Sequence, residues 1–281
     1  MYKTANIRYF KALYNWKGTI EELITKLIAD VYNDINPPPT NVKEKLQIIS
    51  SLRNIDPDPI YKDLGDNSAW IVSVNGRNKI YLNINHSEGR QLFSWAHEIS
   101  HTFFPKKPEE EKIDGFWIDG ENPEEEILCD FGANQIIFWN VNIADTTFHE
   151  DLLENVSKQT GASLEASSIF IAKSPDYRFG MALWSKKYKK GQCAEQQSLF
   201  NESPISPVYR IDYAIYSKSV FLPKNKSINK GEELLENAVS AKKLQKGDIT
   251  IDPGNRGLFE FQTIAFPVHD QKVLTLLKKV N

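Results

Sequence analysis

At 281 residues the chain is long enough for one large domain or two ordinary ones, and its 41% hydrophobic and 25% charged content is that of a water-soluble globular protein. A net charge of −3 argues against nucleic acid as a partner, because no broad positive field is available to hold it. Two cysteines exclude a disulfide framework, the N-terminal Met-Tyr-Lys-Thr-Ala-Asn-Ile-Arg lacks the apolar run of a secretory signal, and no stretch is long enough to span a bilayer. The expectation is a cytoplasmic protein with no membrane partner.

Residues 18–33 read as a helix, with Thr19 as N-cap and Ile20, Leu23, Ile24, Leu27, Ile28 and Val31 at helical spacing. Pro37-Pro38-Pro39 breaks the chain, and Thr40 or Asn41 caps a second helix running through Leu52. Both helices are read as scaffold. From Ala69 the period changes to that of strands: Trp70-Ile-Val-Ser-Val74 and Lys79-Ile-Tyr-Leu-Asn-Ile-Asn85 flank Asn75-Gly76, the signal of a tight hairpin.

A helix expected over 88–104 carries His97-Glu98-Ile-Ser-His101. Positions i and i+4 share one helix face, so His97 and His101 can hold one zinc ion between them. Glu98 leans toward the same ion and can take a proton from a water there. Leu92, Phe93, Trp95, Ala96, Ile99, Phe103 and Phe104 make this helix apolar, and a buried polar cluster is costly unless something such as a metal satisfies it. Pro105 and Pro108 end the helix, and the polar stretch 105–123 reads as a solvated loop. An apolar helix with an acidic start follows, Glu124 to Trp139. Two histidines leave a catalytic zinc one protein ligand short, and Glu124, Glu125 and Glu126 all compete for that place. Asp130, at i+4 from Glu126, can orient a ligand histidine.

Two helices, His149 to Gln159 and Ser163 to Lys173, come next. Their break at Gly161-Ala-Ser163 superficially resembles a helix-turn-helix, but few basic residues flank it. From Tyr177 strands are expected over 178–184, 208–216, 220–222, 249–251 and 258–266, with one helix over 231–243 between them. Lys186-Lys-Tyr-Lys-Lys190 and the polar residues up to Pro207 read as a linker.

Residues 39–171 resemble the ImmA/IrrE family of zinc metallopeptidases. The match runs through Lys79-Ile-Tyr-Leu-Asn, Arg90-x-x-Phe93-x-x-Ala-His-Glu-x-x-His and Glu126-Ile-Leu-Cys-Asp130-Phe-Gly-Ala133-Asn-Gln-Ile-Ile. Ser100 stands where the family commonly has glycine, and Phe138-Trp139 where it has Met-Pro. The resemblance places the third zinc ligand on Glu126. It implies an α+β fold: a helical, zincin-like core with a small β-sheet, followed by a mixed α/β C-terminal domain. The expected division is 1–40 as an N-terminal helical extension, 41–175 as the peptidase core and 176–281 as a regulatory or partner-binding domain. The resemblance also implies a zinc endopeptidase whose protein substrate is a repressor, a toxin–antitoxin component or a defence-system regulator encoded nearby, as in stress response or phage defence. The competing readings are a silent zinc-containing sensor and a DNA-binding regulator using the 149–173 helices. An intact Glu98 favours the enzyme, since binding needs no general base. Peptidases with this motif hold substrate extended along a strand above the motif helix, which puts Ile80, Tyr81, Leu82 and Asn83 forward as substrate-binding residues. Tyr81, His86 and His149 are candidate donors to the developing oxyanion.

Overall fold

The computed structural model describes residues 5–36, 39, 41–104, 123–141, 148–174, 179–189, 197–198, 201–204, 206–216, 220–254, 257–268 and 271–280. The architecture is α+β, and the chain divides into two compact units, Met1–Val141 with Val156–Ser163, and Asn142–Asn155 with Leu164–Asn281.

The first unit opens with helices α1 (Ala5–Leu13), α2 (Ile20–Asn33) and α3 (Val42–Leu52). Thr19 and Glu22 form a reciprocal capping box at the start of α2, satisfying two of the N–H groups that a helix start leaves open. Asn41, not Thr40, caps α3, its Oδ1 accepting from the Glu44 N–H at 2.9 Å. A short strand that the sequence analysis did not anticipate, β1 (Ile60–Lys62), precedes β2 (Ala69–Val74) and β3 (Arg77–Asn83). Asn75 and Gly76 join β2 to β3, both at positive φ (52° and 78°), the backbone that a two-residue hairpin turn requires. The sheet order is β1-β3-β2, so β3 lies in the middle, parallel to β1 and antiparallel to β2.

Helix α4 (Glu88–His101) carries the paired histidines, and α5 (Pro123–Ile137) packs beside it. The motif helix stops earlier than Phe104 because Arg53 closes it. The Arg53 guanidinium donates to the Thr102 carbonyl and, at 3.1 Å, to Thr102 Oγ1, and it stacks over the Phe103 ring. At the far end of α5, Tyr32 Oη donates to the Ile136 carbonyl and Lys45 Nζ to those of Ile137 and Trp139, occupying acceptors that a helix C-terminus leaves open. The expected loop 105–123, with Glu109 to Glu111, lies almost wholly outside the described residues.

In the second unit a six-stranded antiparallel sheet has the order β7-β4-β11-β10-β9-β8. Its strands are β4 (Phe179–Lys187), β7 (Val208–Ile215), β8 (Ile228–Lys230), β9 (Gln245–Ile251), β10 (Phe259–Pro267) and β11 (Val273–Lys279). A separate pair, β5 (Gln197–Ser198) and β6 (Asn201–Pro204), falls within the stretch read as linker. Helix α6 (Asp151–Thr160) is divided between the units at Asn155 and Val156; α7 (Leu164–Lys173) packs on β4 and β7, and α8 (Glu233–Ala241) on β9, β10 and β11. Two expectations are corrected. Val220 and Leu222 are buried in the apolar core, but the described residues 220–222 belong to no strand. Lys186 and Lys187 belong to β4, where Glu236 and Asp212 pair with them, and so are not linker residues.

Candidate metal centre

One face of α4 presents Arg90, Phe93, Ser94, His97, Glu98 and His101, the i, i+3, i+4, i+7, i+8 and i+11 positions of a helix. With Ser68, Ala69, Glu126 and Asp130, all of these except His101 line a cavity of about 440 Å³. The first turn of α5 lies against the last turns of α4, which brings its acidic start to the histidines.

His97 Nε2 and His101 Nε2 are 3.2 Å apart. Glu126 reaches both, Oε2 lying 3.1 Å from His97 Nε2 and Oε1 3.5 Å from His101 Nε2. Tetrahedral N and O ligands at about 2.0–2.1 Å from zinc stand about 3.3 Å from one another. The triangle of donor atoms therefore has the dimensions of three vertices around one ion. The remaining imidazole nitrogens are also held: His97 Nδ1 donates to Asp130 Oδ1 at 2.9 Å, and His101 Nδ1 to Glu125 Oε1 at 3.2 Å. A carboxylate behind each ring sets its tautomer and leaves Nε2 toward the shared point.

The electrostatics show what the pocket is built to hold. Burial works against charge on His97, but hydrogen bonds to Asp130 and Glu126 and the field of Glu98 push its pKa up to about 10. His101 is raised in the same way, burial being outweighed by Glu125 and Glu98. The His97 imidazole holds the Glu126 carboxyl below the usual range. Burial and the surrounding carboxylates push the Cys129 thiol up, so it stays protonated. Four carboxylates around two imidazoles favour positive charge at the centre, and a two-nitrogen, one-oxygen donor set suits a divalent transition metal. The residues present thus fit a metal ion.

Among the described residues two other groups have donor atoms close enough to share an ion: His101, Glu125 and Cys129, and His149, Glu150 and Asp151. The second is an exposed run of sequence neighbours in which His149 Nδ1 accepts from the Asp151 N–H. The first shares His101 with the main centre and adds Glu125 and the buried Cys129 thiol.

The expected substrate strand is corrected. Ile80, Tyr81, Leu82 and Asn83 lie on the central strand, whose edges are taken by β1 and β2, so no added strand can pair there. Ile80 and Leu82 are buried, and the buried Asn83 side chain donates to the carbonyls of Gly65 and Asn67. The outer strands of this sheet among the described residues are β1 and β2. Of the oxyanion candidates, Tyr81 alternates with Ile80 and Leu82 and so faces away from them, neither it nor His86 lines the cavity, and His149 belongs to the other unit. The cationic group that does is Arg90, whose Nη2 donates to Ser68 Oγ at 3.0 Å. Sequence reasoning assigned no role to Arg90 and did not see Glu125 as a partner of His101; the seven-residue spacing from Arg90 to His97 was the available signal for the former.

Residues 55–171 match the family Peptidase_M78, described as an IrrE N-terminal-like domain. No curated protein matches the chain. Among solved structures, a Mycobacterium tuberculosis transcriptional regulator aligns over 98% of this chain and 92% of its own, with 11% identity and a TM-score of 0.49.

Proposed function

We propose that the protein is a zinc-dependent endopeptidase that cuts a specific protein partner, a reading supported by the match of residues 55–171 to the Peptidase_M78 family. One observation carries the reading: Nε2 of His97, Nε2 of His101 and the Glu126 carboxylate converge at 3.1–3.5 Å while carboxylates hold both Nδ1 atoms. His97, His101 and Glu126 are assigned as the ligands. Zinc, when bound, acidifies water and polarises the scissile carbonyl. Glu98, buried yet lining the cavity, takes a proton from the attacking water as its oxygen adds to the carbonyl carbon. The same carboxyl returns that proton to the amide nitrogen as the C–N bond breaks. Asp130 and Glu125 keep the imidazoles from turning, and Arg90 offers N–H donors to the oxygen on which negative charge develops. The substrate is a repressor or similar regulator encoded nearby, as the resemblance to stress-response and mobile-element peptidases implies.

The test is Glu98→Gln in the zinc-loaded protein, incubated with the product of the neighbouring gene. Zinc content should be unchanged and cleavage should fall by about 10²–10⁴-fold, the usual contribution of a general acid–base. Full cleavage by a folded, zinc-loaded variant would remove the mechanism.

A further inference from the structure

We propose that the second unit carries a binding site for a small molecule with one carboxylate on an apolar body, built around a β-bulge where β7 pairs with β4. The site is independent of the peptidase reading, since every residue it uses belongs to the second unit. Leu183 stands opposite Tyr213 and Trp184 opposite Ile211, which leaves Asp212 without a partner on β4. In an unbroken strand Ile211 and Tyr213, two residues apart, would face the same side. Ile211 packs into the apolar core with Trp184, so the extra residue turns Tyr213 to the opposite face, beside Leu183. The neighbours Asp212 and Tyr213 consequently line one cavity of about 460 Å³ together with Leu183. A regular strand forbids two consecutive side chains on one face, and bulges that re-aim a side chain are common beside functional sites.

Backbone anchors bring the other walls to the bulge. Asn225 N–H donates to the Ile211 carbonyl at 2.8 Å and Ile211 N–H to the Lys226 carbonyl at 2.9 Å, which fixes cavity-lining Lys224 next to Asp212. Val268 N–H donates to the Lys272 carbonyl at 2.9 Å between β10 and β11, and both of these residues also line the cavity. Charge then decides what fits. The two acids on the wall already have donors: Glu165 of α7 accepts from Tyr213 Oη, and Asp212 Oδ1 accepts from Ser185 Oγ at 2.8 Å and from Lys187 Nζ. Lys224 and Lys272 form no ion pair among the described residues. Lys187, Lys224 and Lys272 against Glu165 and Asp212 leave an excess of one positive charge, which a single carboxylate offsets. Leu183, Val268 and the Tyr213 ring offer an apolar wall for the rest of the ligand. The volume lies in the range of small-molecule sites, about 300–1,000 Å³.

The probe is 4-methylpentanoate, and its binding to the zinc-loaded full-length protein is followed by broadening of its methyl NMR signals in a low-salt titration. A millimolar dissociation constant is expected for so small a ligand. Lys224→Met and Lys272→Met keep an apolar stem and remove the charge, and each should bind the probe about fivefold more weakly. Lys246→Met, whose lysine pairs with Glu150 away from the cavity, should bind it as the unaltered protein does. The uncharged 4-methylpentanamide should bind more weakly than the acid, and inorganic phosphate should displace the probe poorly. Absence of binding, equal affinity for the amide, or unchanged affinity in both cavity-lysine variants overturns the proposal. A carboxylate captured by the candidate metal centre gives the last of these results, because that capture needs neither lysine. Displacement by an equal concentration of phosphate also overturns it, since the site would then read charge alone. The two cavity variants are read separately, so misfolding of one leaves the other to decide.

Discussion

Glu125 and Glu126 are neighbours in sequence but meet different nitrogens of different histidines, so the two carboxylates are not interchangeable. Glu126 faces both Nε2 atoms, and Glu125 only His101 Nδ1. In metal titrations Glu126→Ala should lose most zinc affinity, whereas Glu125→Gln and Asp130→Asn should weaken it about 10–100-fold, as removal of an orienting partner does. Cys129→Ser should leave affinity unchanged; a large loss there, with Glu126→Ala unaffected, would move the ion to the His101, Glu125 and Cys129 group. A second residue-scale prediction concerns Lys45. Burial lowers its pKa to about 8, below the 10.5 of a free lysine. Between about pH 8 and 10.5 the unfolded chain therefore binds more protons, so this group makes stability rise with pH across that window and contributes no slope below it. Denaturant unfolding at pH 8, 9 and 10 should show that rise in the unaltered protein and a flatter profile in Lys45→Met.

At the scale of the elements, the metal centre depends on how closely α4 and α5 approach. A Cβ added at Gly132 would lie 2.7 Å from Ser100 Oγ and 3.1 Å from Ser100 Cβ. Ser100 itself fits because its hydroxyl turns back to donate to the Ala96 carbonyl at 2.8 Å. Ser100, at a position where proteins of the resembled family commonly have glycine, is thus accommodated by a glycine on the facing helix. Gly132→Ala should overpack the contact, costing about 1–3 kcal/mol, and should weaken zinc binding by separating the two helices. Adding Ser100→Gly should recover both losses. Chemical denaturation and zinc affinity of the two single variants and the double variant check this, and an additive result would contradict it.

Across the whole molecule, the candidate ligands all belong to the first unit, while the second has its own apolar core around Trp184, Ile249, Phe261 and Leu277. A ligand that binds the folded state stabilises what it binds. Hydrogen–deuterium exchange with and without zinc should therefore show added protection concentrated in α4 and α5. Comparable protection gained in β9 and β10 would contradict ligation confined to the first unit.

The sequence by itself determined the local features. Thr19 with Glu22 wrote a helix start, Asn75-Gly76 wrote a hairpin, and the spacing of His97 and His101 placed two nitrogens on one helix face. Each of these depends on residues at most four apart, so one chain segment contains the whole interaction. Long-range pairings were not legible. Strand β1, too short and exposed to show a period, takes the side of β3 that β2 leaves open and makes β3 a central strand, against the expected role of Ile80 to Asn83. Val273–Leu277 is buried on both faces with Thr275 as its one polar residue, and so shows no polar–apolar alternation to mark it as a strand. By residue type alone three adjacent glutamates were equivalent, because each begins the same helix, and the resemblance was what singled out Glu126. Only the approach of α5 to α4, governed by Gly132 against Ser100, decided which carboxylate meets which imidazole nitrogen.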